Sequence, residues 1–74
     1  MEKRTGKREY YEKRFGMIAI EKGFITPDDL VKALYIQIYE DINKQRHRLI
    51  GEILLDINLM TAAQIEEVAR DIFR

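Results

Sequence analysis

Few side chains in this 74-residue sequence could do chemistry. The single histidine, His47, sits between Arg46 and Arg48 in a polar stretch, without a nucleophile or a second histidine beside it. The carboxylates come as sequence neighbours: Asp28-Asp29, Glu40-Asp41 and Glu66-Glu67. Adjacent residues of a helix point in different directions, so such pairs do not share a substrate as a general acid and base must. Cysteine is absent, which removes disulfides and thiolate metal sites. His/Asp/Glu spacings of metal-ligand type are missing as well. Gly6, Gly16, Gly23 and Gly51 do not make a phosphate-cradling loop. The expectation is a protein that is not an enzyme and carries no cofactor or metal.

Binding chemistry is better represented. Formal net charge is zero, with 13 basic and 13 acidic residues, but the charges are segregated. Lys3, Arg4, Lys7, Arg8, Lys13 and Arg14 face only Glu2, Glu9 and Glu12 in residues 1–14; Lys44, Arg46, His47 and Arg48 face no acid in residues 42–50. Such segments attract anions, and an arginine near a helix start can pair with phosphate or a guanine edge. A second candidate surface is apolar. Tyr35, Ile36 and Tyr39, with Tyr10 and Tyr11, exceed what one buried stripe needs, and tyrosines carry binding energy at interfaces. Duplex DNA recognition is the weaker reading, because the second helices begin with acids (Asp28-Asp29) or soon reach them (Glu66-Glu67).

The elements that must position these groups repeat. RFGMIAIEKGFITPDDLVKAL lies over LIGEILLDINLMTAAQIEEVA at a constant offset of 35 residues (51 − 16), Gly16 on Gly51, Gly23 on Asn58 and Thr26 on Thr61. In each copy an apolar helical run (Phe15, Ile18, Ala19; Ile50, Ile53, Leu54) stops at Gly23 or Asn58, residue types that tolerate the left-handed turn closing a helix. A new helix then starts. Thr26 caps it with Pro27 at its first position and Asp29 three residues after the cap; Thr61-Ala62-Ala63-Gln64 reads as a capping box. The second helix of copy one is expected from Pro27 to about residue 42, with Leu30, Leu34, Ile38 and Ile42 as its inward stripe and Val31, Ala33 and Tyr35 widening it. In copy two Ile65, Val68, Ala69, Ile72 and Phe73 are expected inward.

These signals predict an all-α fold: a small bundle of four to five helices from two tandem helix–turn–helix repeats. Residues 14–74 would form one domain, with repeats at 14–38 and 49–73 joined by a basic linker. Residues 1–13 would be a basic arm or a helix, merged with the next or broken near Arg14. Apolar residues make up 46% and charged residues 35%, a foldable mix. No apolar run approaches the ~20 residues of a membrane span, and none follows the basic N-terminus as in a signal peptide, so a cytoplasmic protein is expected.

Residues 14–73 resemble the N-terminal domains of type II secretion and type IV pilus assembly ATPases, the GspE N-terminal or MshEN domains. Copy one supplies the family pattern through Arg14, Phe15, Gly16, Ala19, Ile20, Gly23, Phe24, Ile25, Leu30, Leu34 and Gln37. Copy two departs from it: Leu49 stands at the arginine position with Arg48 one residue away, Asn58 replaces the glycine, and Ile72 replaces the glutamine. The resemblance implies a docking or adaptor module that binds another protein, a secretion or pilus component. It also implies a second option, a cyclic di-GMP-binding regulatory domain using Arg14, Gly16, Gly23 and Gln37, with Arg48 as substitute. No ATPase domain lies within this stretch, which suits a free-standing relative or a piece of a longer protein. A homodimer is a further partner option.

Overall fold

A computed structural model describes residues 3–43 and 47–73, the side chains from Tyr10 onward. It holds four helices, α1 (Lys3–Glu21), α2 (Pro27–Ile42), α3 (Ile50–Asp56) and α4 (Ala62–Ile72), and no strand among the described residues. The fold is therefore all-α, with four helices. α1 runs unbroken through Arg14 and Gly16.

The turns within the two repeats are copies of one another down to their hydrogen bonds. The N–H of Phe24 donates to the carbonyl of Ala19 (3.0 Å) and that of Gly23 to Ile20 (2.9 Å). Thirty-five residues on, Leu59 donates to Leu54 (2.9 Å) and Asn58 to Leu55 (3.1 Å). This is the two-bond closure that satisfies the last carbonyls of a helix, and it requires a left-handed residue at its centre. Gly23 (φ 80°) and Asn58 (φ 63°) supply it. Both caps are reciprocal. Thr26 Oγ1 accepts from Asp29 N (3.1 Å) while Asp29 Oδ2 accepts from Thr26 N (3.0 Å). Thr61 and Gln64 do the same at 3.1 and 3.0 Å. α3 starts with half of this device: Glu52 Oε1 accepts from Leu49 N (2.8 Å), and the Leu49 side chain has no oxygen to return.

The repeats interlock. α1 packs on α4, and α2 packs on α3, so the first helix of each copy takes its main partner from the other copy. Between them lie Phe15, Ile18, Ala19, Ile25, Ala33, Ile50, Ile53, Leu54, Met60 and Val68, all buried. Two glycines permit the close approach. A Cβ on Gly16 would lie 2.8 Å from Leu30 Cδ2, and one on Gly51 would lie 3.1 Å from Phe15 Cζ.

α2 corrects the expected inward stripe. Ala33 is buried and Leu30 and Ile36 pack against the core, whereas Leu34, Ile38 and Ile42 are exposed. The buried face of α2 is thus the one carrying the small residue, and the bulkier apolar stripe is turned to the outside. Phe73, expected inward, is also exposed and meets Tyr11 with the rings tilted at 43° instead (ring centroids 5.5 Å).

Candidate functional site

The residues singled out as ligand or partner contacts fall into separate places. Gln37 and Arg48 are brought together, but into an internal network. Gln37 Nε2 donates to Glu12 Oε1 (2.7 Å) and to the Arg48 carbonyl (3.0 Å), and the same Glu12 oxygen accepts from Ile50 N (2.8 Å). Glu12 thus joins α1, α2 and the start of α3 at one oxygen. The Arg48 guanidinium grips Glu40 with two bonds (Nη2–Oε2 2.7 Å, Nε–Oε1 3.1 Å) and reaches Asp56 (3.3 Å). Both members of the main pair are sheltered, with side chains 15% and 14% exposed. The hydrogen bond to Glu40 holds the Arg48 pKa above the ordinary arginine value. The planar two-bond fork ties the linker to the end of α2.

Arg14 is exposed on α1 and Gly23 is exposed in its turn, while Gly16 is buried under Leu30. Of the two basic segments, Lys13 and Arg14 are exposed; the side chains of residues 3–9, and residues 44–46 altogether, lie outside the described residues. His47 is exposed and shares a hydrogen bond with Asp41 (3.1 Å). Among the described residues, no group of three His, Asp or Glu is placed to hold a metal ion, and no helix is long and apolar enough to cross a membrane.

The tyrosines divide. Tyr10 and Tyr11 meet edge to face (5.5 Å), and Tyr11 also meets Phe73. Tyr11 and Phe73 border a groove of about 580 Å³ lined by Phe15, Leu49, Gly51, Ile65 and Ile72. Its two carboxylates, Glu12 and Glu52, already accept from amide donors. Tyr35 and Tyr39 lie elsewhere, on the outer face of α2, while Ile36 turns toward the core. Around these two tyrosines stand Val31, Leu34, Ile38 and Ile42, all exposed. Spacings of three, four and seven residues place the six side chains on one side of the helix.

Sequence reasoning missed several members of these arrangements. Val31, Leu34, Ile38 and Ile42 were assigned to the core or its edge, although the repeat itself carried a signal. Val31 matches Glu66 and Tyr35 matches Arg70, so the equivalent positions of α4 are charged and outward. Glu12 had no signal beyond being an acid in a basic segment. Lys22, which reaches Asp71 (2.9 Å) and Glu67 (3.1 Å) to clasp the end of α1 to α4, had none.

No protein-family model, curated protein or solved structure matches the chain. The fold and its surfaces therefore define it only as a small all-α protein of two interlocked helical repeats.

Proposed function

We propose that this chain is a non-catalytic docking module that acts by protein–protein contact through the outer face of α2, as the resemblance to secretion and pilus ATPase N-terminal domains implies for its class. The observation that carries this reading is the row of six exposed apolar side chains on α2, where α4 carries Glu66 and Arg70 at the positions of Val31 and Tyr35. Apolar patches of this extent on a small protein mark interaction sites. A photo-reactive amino acid at position 35, and for control at position 70, tests it in the native cytoplasm. A discrete protein adduct at 35 and none at 70 is the expected result; equal labelling at both, or none, rejects the reading.

The second reading, a cyclic di-GMP receptor, draws on the exposed Arg14 beside Gly16. It requires Gln37 and Arg48 to leave Glu12 and Glu40. Calorimetric titration with cyclic di-GMP decides it: saturable heat that Arg14→Ala abolishes supports the receptor, and no heat at high ligand removes it.

A further inference from the structure

Resting on the reading of α2 as a docking face, we propose that a second copy of this chain is its occupant, so that the protein is a homodimer paired α2 against α2. The exposed side chains are large: Tyr35 and Ile42 are each 71% exposed, Val31 62%, and Ile38 and Tyr39 each 55%. With tyrosine and aliphatic side chains offering on the order of 150–200 Å² each, the six residues leave roughly 600 Å² uncovered per chain. Two such faces in full contact remove up to roughly 1,200 Å² from water, the lower end of what a stable, specific interface buries.

The shape suits self-pairing. From Val31 to Ile42 the stripe runs straight for roughly 16 Å along the helix. Its residues recur at alternating steps of three and four, the spacing that seats one helix in the groove of another. By position on the helix, the charged neighbours Lys32 and Asp41 border the stripe and do not interrupt it, and Asp41 is already bonded to His47. Bringing two copies together about a two-fold axis therefore buries apolar surface against its own kind without burying a charge, and asks for no second surface. A chain of this length gains most from such burial, because its own core is small.

Sedimentation of the full chain across a concentration series tests the proposal, with Val31→Glu/Tyr35→Arg as the variant. These substitutions copy the residues that α4 carries at the same places, so helicity by circular dichroism should be unchanged. The wild type should sediment at twice the 8.8 kDa of one chain. The variant should be a monomer, its dissociation constant raised at least about 100-fold. A wild-type monomer at about 0.5 mM overturns the proposal, and so does a dimer that survives both substitutions with helicity intact. A monomer whose position 35 labels a different protein overturns the dimer and leaves the docking reading standing; a monomer without any adduct overturns both.

Discussion

α2 and α4 are the same element in two copies of one repeat, and they differ on both faces. Inside, α2 presents Ala33 where α4 presents Val68, and Gln37 where α4 presents Ile72. Outside, α2 presents Val31 and Tyr35 where α4 presents Glu66 and Arg70. The shared caps and turns show that the architecture tolerates either set. α4 is an ordinary surface helix, apolar inward and charged outward. α2 has the smaller and more polar inner contacts and the apolar outer face, which the packing of this fold leaves uncovered.

Exchanging inner residues between the two helices should hurt most. Val68 is fully buried, so Val68→Ala leaves a cavity and should cost about 2–3 kcal/mol. The reverse change, Ala33→Val, should cost about 1–3 kcal/mol by overpacking the core, where Ala33 is fully buried. Thermal melting checks both; an indifferent response at both sites would mean the two inner faces are interchangeable.

The polar inner contact of α2 comes next. Glu12→Ala strands the Ile50 amide and weakens the seat of Gln37, an expected loss of about 1–2 kcal/mol by urea unfolding. Adding Gln37→Leu should recover part of it, because removing both partners costs less than stranding one. A double variant that simply sums the single losses would break that argument.

The turns give a smaller contrast. Gly23→Ala should cost about 1 kcal/mol, although a Cβ there meets nothing within 4 Å, because its positive φ is what disfavours alanine. Asn58→Gly should change stability by less than about 0.5 kcal/mol, since relief of the backbone is offset by the freer unfolded chain. Chemical denaturation of the pair measures the difference.

The smallest effect is electrostatic. Asp71 first and Glu67 second raise the Lys22 pKa above its ordinary 10.5. The folded-state value therefore exceeds the unfolded one. Lys22's contribution is complete below about pH 10.5 and fades as pH climbs through the raised value. Melting temperatures of wild type and Lys22→Met should thus converge above that pH and remain slightly but evenly apart between pH 7 and 10; a gap that widens with alkali contradicts the clasp.

The boundaries of α2 and α4, the reciprocal caps at Thr26 and Thr61, and the left-handed residues Gly23 and Asn58 were legible in the sequence. Each is set by bonds within about five residues, so the residues that decide it stand together on the page. The repeat was legible for the same reason, as local rules written twice. The candidate site was only half legible. Tyr35 and Tyr39 could be marked as surplus, but the stripe running through Leu34, Ile38 and Ile42 reads the same whether it faces a core or the outside. Periodicity names a face without saying what lies against it. Tertiary structure made that choice, by burying Ala33 and packing Leu30 and Ile36 against the core. It also took Gln37 and Arg48 into an internal network through Glu12 and Glu40, partners 25 and 8 residues away. Local patterning thus determined the helices and their turns. Which surface was left open, and which polar groups were already spent, depended on contacts between copies that no stretch of sequence contains.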